Sequence, residues 1–68
     1  MQMIPVSSSN LSSIGYENGT LYIRFHNGSL YSYSNVPASV YQGLMSASSH
    51  GQYFVAYIKK CYPYRKIG

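Results

Sequence analysis

Tyr16-Glu17-Asn18-Gly19-Thr20-Leu21-Tyr22-Ile23-Arg24-Phe25-His26-Asn27-Gly28-Ser29-Leu30-Tyr31 is the stretch that decides the fold. One run in which apolar and polar residues alternate is flanked by two Asn-Gly pairs. Asn-Gly between alternating runs is a strong hairpin signal, because both central residues of a tight type I′ turn need positive φ. The two pairs divide the chain into strands of about 12–17, 20–26 and 29–34. If each loop holds two residues, Ile14 faces Ile23, Tyr16 faces Leu21, Phe25 faces Leu30 and Ile23 faces Ser32. Side chains alternate across a strand, so these residues define one apolar face. The opposite face is then expected to carry Tyr22, Arg24, His26, Tyr31 and Tyr33, with Arg24 across from Tyr31 and Tyr22 across from Tyr33.

Working outward toward the C-terminus, Val36, Val40, Leu44 and Ala47 recur at helical spacing, and Pro37 suits a first helical turn. Gly43 either weakens this helix or admits a close neighbour. A second helix is expected from about Gly51 to Cys61, with Phe54, Tyr57, Ile58 and Cys61 on one stripe. Ser48 or Ser49 caps its start and Pro63 ends it. Cys61, on that stripe, is expected to be buried and inert. Toward the N-terminus, residues 7–13 form a polar lead-in. The expected fold is α+β: a three-stranded antiparallel β-meander followed by two short helices packed on one face. It forms a single domain over residues 1–68, with its core at about 6–66.

Sixty-eight residues leave room for one core, and a domain of this size buries only about 60% of the surface its unfolded chain exposes. Such chains commonly need a staple or a second subunit. Cys61 is the only cysteine, so no internal disulfide can serve. Cys61, His26 and His50 do not make a closed tetrahedral zinc set. Self-association, most simply a dimer, is the remaining expectation. The lone thiol, a start at Met1 without a basic and apolar leader, and the absence of a spanning apolar run point to the cytoplasm and away from a membrane.

Glu17 is the only acid, set against Arg24, Lys59, Lys60, Arg65 and Lys66, for a net charge of +4. A single carboxylate leaves no pair for general acid–base work and no ligand set for metal-assisted chemistry. A non-enzymatic protein without a cofactor is expected. The positive field favours anionic partners such as phosphates, although charge also serves solubility. Nine tyrosines stand at 16, 22, 31, 33, 41, 53, 57, 62 and 64. Tyrosine suits interfaces and base stacking, and in a chain without Trp it also builds core edges.

Read in order, Val6-Ser7-Ser8-Ser9, Ile14-Gly15-Tyr16, Leu21-Tyr22-Ile23-Arg24-Phe25, Gly28, Tyr31-Ser32-Tyr33, Val36-Pro37, Val40-Tyr41, Leu44, Ala47-Ser48-Ser49-His50-Gly51-Gln52-Tyr53-Phe54, Ile58 and Tyr62 resemble the KTSC domain family. That family takes its name from the C-terminus of some lysyl-tRNA synthetases and also occurs as small stand-alone proteins of bacteria and their phages. The resemblance covers residues 6–66 and implies a nucleic-acid-binding accessory module without catalytic activity. Val55 stands where the family often has Asn, and Lys59 where it often has Arg. Lys cannot supply Arg's bidentate fork to a phosphate.

Three candidate sites follow. Ser48, Ser49, His50 and Gly51, with Tyr53 one turn on, mark a helix start whose free N–H groups form an anion site or are simply capped. Ser7, Ser8 and Ser9 either close on that site or serve only as a lead-in. Arg24 with Tyr22, Tyr31 and Tyr33 would stack a base while the guanidinium meets a phosphate, or would form a subunit interface from the same residues. Lys59, Lys60, Arg65 and Lys66 make a phosphate-attracting edge or a solvated tail, with Arg65 the best of them for direct contact. The expected partner is a nucleotide or nucleic acid. A stand-alone copy that oligomerises and sequesters a small nucleotide, such as a cyclic nucleotide signal, competes with an RNA or single-strand-binding module and with a protein–protein adaptor.

Overall fold

Asn18 and Gly19 both adopt positive φ, at 53° and 79°, so the first turn is the two-residue type its sequence calls for. The computed structural model describes residues 2–68; Met1, at the start of the expected domain, lies outside them. The turn joins β2 (Leu11–Glu17) to β3 (Thr20–Phe25) and sets the expected register, with Ile14 opposite Ile23 and Tyr16 opposite Leu21.

The second Asn-Gly behaves differently. Only Gly28 has positive φ, at 92°. The Phe25 amide donates to Ser29 O and the Gly28 amide donates to Phe25 O, each at 2.9 Å. The loop is therefore the three residues His26-Asn27-Gly28, a geometry that tolerates Asn27 at negative φ and places glycine in the left-handed region. The Asn27 carboxamide oxygen accepts from Ser29 N at 2.9 Å. The extra loop residue moves β4 (Leu30–Tyr33) by one position: Leu21 pairs with Tyr33, Tyr22 with Ser32, Ile23 with Tyr31 and Arg24 with Leu30. A one-residue slip exchanges the two faces of a strand. Tyr31 and Tyr33 thus lie on the core face, and the expected pairings of Arg24 with Tyr31 and Tyr22 with Tyr33 do not occur.

The sheet has five strands in the order β1-β2-β3-β4-β5, every neighbour antiparallel. This corrects the three-stranded expectation. The additions are both edges: β1 (Ile4–Pro5) pairs with β2, and β5 (Tyr64–Lys66) returns from the helices to pair with β4. Beyond β5, Ile67 and Gly68 continue the backbone bonding to Leu30. Strands of two and three residues are too short to show alternation.

Both helices cover the core face. Leu44 from α1 (Ala38–Ser46) and Phe54 from α2 (His50–Tyr57), with Val36 just before α1 and Ile58 just after α2, are buried with Leu11, Ile14, Leu21, Ile23 and Tyr33. Pro37 occupies the N-cap position of α1, one place before the expected first turn. Gly43 admits a close neighbour: a Cβ there would fall 2.8 Å from Tyr53 Cζ. Ser49 caps α2, its hydroxyl accepting from Gln52 N at 3.2 Å. The second helix is shorter than expected. It ends at Tyr57 and residues 58–61 form a turn; Tyr57 and Cys61 are both exposed. This corrects the expectation that Cys61 is buried.

Candidate functional site

The rings that fill the core face do not close over it completely. Phe25 packs edge-on against Tyr31 (centroids 5.5 Å apart) and Phe54 (5.7 Å). Tyr33 packs edge-on against Phe54 at 5.4 Å. Tyr64, from β5, lies 6.0 Å from Tyr31 and 5.7 Å from Tyr33. These contacts make one connected aromatic set. Beside it opens a cleft of about 690 Å³, to which Tyr62 also contributes. Lys59 and Lys60 line it from the turn after α2, and Ser9, Asn10, His26, Asn27 and Ser29 from the loops.

Local chemistry fixes that rim. The Ser8 hydroxyl accepts from the amides of Asn10 and Leu11 at 3.2 Å each, which forms the turn before β2. His26 Nε2 bonds to Ser8 O at 2.7 Å; a carbonyl only accepts, so Nε2 carries the proton. The His26 amide also donates to Asn10 O at 3.2 Å, so the tip of the β3–β4 hairpin is tied to the segment before β2. Within the aromatic set, burial pushes the Tyr33 hydroxyl up to about 12, with Tyr31 and Tyr64 beside it adding to the shift.

The residues expected to contact a ligand fall into three places. Tyr31, Tyr33 and Ser9 line the aromatic cleft. Tyr22, Arg24 and Arg65 lie on the other face of the sheet, where Tyr22 pairs with Ser32 and Ser32 with Arg65. Arg24 Nη1 donates to Gly28 O at 2.9 Å, which ties it to the turn. The expected cluster of Arg24 with Tyr31 and Tyr33 is therefore not formed, because the register slip separates them.

The start of α2 is the third place. Ser48 and Ser49 line a shallow hollow of about 290 Å³ with Gln52 and Tyr53. His50 Nδ1 bonds to Leu44 O at 2.8 Å and links the two helices. Gly51 is buried, and a Cβ there would meet the Ser8 hydroxyl and the Asn10 carboxamide at 3.4 Å. Ser8 does approach this helix start, as one reading of the serine run anticipated. Ser7 and Ser9 are exposed.

Phe25, Phe54, Tyr62 and Tyr64 escaped the sequence reading as site residues, since core aromatics and cleft aromatics look alike in a sequence. The signal was the alternation of Tyr62 and Tyr64 directly after Lys59-Lys60. Among the described residues, no three His, Cys, Asp or Glu side chains come together as a metal-ion group, and no helix is long and apolar enough to cross a membrane.

The KTSC domain family model matches residues 7–62. An uncharacterized protein of Stutzerimonas stutzeri is 41% identical over 56 residues, a match spanning 79% of each chain. The lysine–tRNA ligase of a Nostoc species is 42% identical over 48 residues, which is 71% of this chain and 9% of the ligase. The crystal structure of a KTSC domain protein from Yersinia pestis superposes with a TM-score of 0.92 at 46% identity, covering 98% of this chain and 97% of that one.

Proposed function

The chain belongs to the KTSC domain family, and from that premise we propose that it is a non-enzymatic binding module whose aromatic cleft holds the nucleotide unit of a phosphate-bearing ligand. The observation that carries this reading is the meeting of half-exposed rings and two lysines in one opening. At about 690 Å³ the cleft is within the range of small-molecule sites. Tyr31 is half-buried and Tyr64 exposed, which leaves ring surface for a base to stack on. Base–aromatic stacking contributes about 1–3 kcal/mol per base. Lys59 and Lys60 are exposed and attract the phosphate as mobile point charges.

The ligand proposed first is a small free nucleotide, cyclic or linear, held by one cytoplasmic protein that does not alter it. The second reading is single-stranded RNA threaded through the same cleft; the matching stretch in a lysine–tRNA ligase favours it. Salt separates the two. Polymer binding releases several counterions and weakens steeply as salt rises, whereas one phosphate contact plus stacking is much less sensitive. Tyrosine fluorescence, unobscured because the chain has no Trp, follows titrations with nucleoside monophosphates, cyclic nucleotides and short oligoribonucleotides at two salt concentrations. If none of these ligands binds, the nucleotide reading fails and the adaptor reading gains. Self-association stays within the proposal on the grounds of the small core. The corrected register takes Tyr31 and Tyr33 off the sheet face expected to mediate it. Light scattering showing a monomer at high micromolar concentration would remove it.

A further inference from the structure

We propose that the Tyr33 hydroxyl selects the ligand, acting as the donor that meets a hydrogen-bond acceptor on the edge of the planar ring held in the aromatic cleft. The inference deepens the nucleotide reading of that cleft and rests on it.

Tyr33 is only 3% exposed, yet it lines the cleft. Its ring is held edge-on by Phe54 and flanked by Tyr64, and its backbone is paired on both sides, with Leu21 and with Tyr64. Among the described residues its hydroxyl has no hydrogen-bond partner. At the same time, no fully buried side-chain polar atom among the described residues lacks a partner. Both statements hold only if the oxygen keeps some contact with solvent, and the cleft that Tyr33 lines is the opening beside it. The residue is thus an almost wholly buried ring that delivers one unpartnered polar atom to the cleft.

Tyr16 provides the contrast. Its hydroxyl donates to Val36 O at 2.5 Å and so has a structural task. Buried polar groups are ordinarily partnered, and a polar atom held at a cleft surface without a protein partner is available to a ligand. Raised to about 12, the phenol stays protonated at any physiological pH and keeps its donor. An apolar wall alone discriminates weakly between ligands of similar shape, whereas a site built to hydrogen-bond one edge rejects ligands that cannot complete the bond. With Lys59 and Lys60 also lining the cleft, the fitting ligand has its phosphate at the lysines and a ring acceptor, a carbonyl oxygen or unprotonated ring nitrogen, at Tyr33.

The test compares the parent, Tyr33→Phe and Tyr64→Ala against the four ribonucleoside 5′-monophosphates, with thermal unfolding at neutral pH alongside. The expected result is that Tyr33→Phe weakens the preferred nucleotide by roughly tenfold and levels the ranking of the four, while its unfolding temperature does not fall. Tyr64→Ala, which removes stacking surface, weakens all four. If Tyr64→Ala weakens binding but Tyr33→Phe keeps the parent's affinities and ranking, this inference fails and the nucleotide reading stands. If Tyr33→Phe lowers the unfolding temperature by several degrees, the hydroxyl serves the fold and the inference fails. If the parent binds none of the four, this inference fails; if it binds them and Tyr64→Ala changes nothing, the ligand is not in this cleft and both fall.

Discussion

Ile23 stands opposite Tyr31 across β3 and β4. That pairing turns both tyrosines of β4 toward the helices and builds the cleft. It depends on Gly28 holding φ at 92° in a three-residue loop. Nothing lies within 4 Å of a Cβ placed at Gly28, so any cost of adding one is conformational and not steric crowding. Gly28→Ala should lower stability by about 1 kcal/mol or more. Urea unfolding, read as a lower midpoint at an unchanged slope, checks it.

Much of the fold could be read from Asn18-Gly19, where local preference and tertiary structure agree on a two-residue turn. The same dipeptide at 27–28 was misleading. Local preference there is overridden by the burial of Tyr33 and Phe25 against Phe54, contacts with a helix more than twenty residues further along the chain. The cap at Ser49 was legible because capping is local. The end of α2 at Tyr57 was not, since no breaker precedes Pro63 in the sequence. The candidate site suffered from the same slip: Tyr31 and Tyr33 were named for it, but with Arg24, which the register places on the other side of the sheet. Lys59 and Lys60 were visible as a phosphate-attracting edge, while their aromatic neighbours were not, because Tyr64 reaches the cleft only through the short strand β5.

Gly43 and Tyr53 set two effects against each other. Alanine in a helix interior is favoured over glycine by about 0.5–1 kcal/mol. Overpacking typically costs about 1–3 kcal/mol, and here a new Cβ meets the Tyr53 ring, itself 4.7 Å from Tyr57. The clash should win, so Gly43→Ala is expected to destabilise by about 1 kcal/mol. In the Tyr53→Ala background the same change should become stabilising. A double-mutant cycle measures the coupling, and additivity would show that the ring yields freely.

The raised Tyr33 hydroxyl makes a signed prediction at alkaline pH. Its folded value of about 12 lies above the ordinary 10.0, so the unfolded chain gives up this proton first as pH rises. Fewer protons bound in the unfolded state means stability falls with pH. The contribution is fully present below pH 10 and is lost progressively between about pH 10 and 12. The stability difference between the parent and Tyr33→Phe, followed by urea unfolding across this window, should drift against the parent. A constant difference would count against burial as the cause.

The last prediction concerns which face of the sheet meets the phosphate. Arg24 and Arg65 have the better donors for a bidentate contact, and from sequence Arg24 is expected to meet a phosphate and Arg65 to be the best of the basic edge for direct contact. The structure places both on the face away from the cleft, Arg24 already engaged with Gly28 O. Lys59 and Lys60 line the opening instead. A partly solvated lysine–phosphate contact is weaker than a bidentate arginine pair, and salt screens it with a Debye length of about 8 Å at physiological ionic strength. Removing Lys59 and Lys60 together should therefore weaken a nucleoside monophosphate by roughly tenfold, on the basis of about 1.5 kcal/mol for a charge-assisted contact. Arg24→Ala and Arg65→Ala, each carrying the same loss of one charge without touching the cleft, should change it by less than about twofold at that salt. Calorimetry on the three variants at matched ionic strength decides it. Should the arginine variants lose binding while the double lysine variant keeps it, the phosphate sits on the opposite face of the sheet, and the aromatic cleft is not where this protein binds.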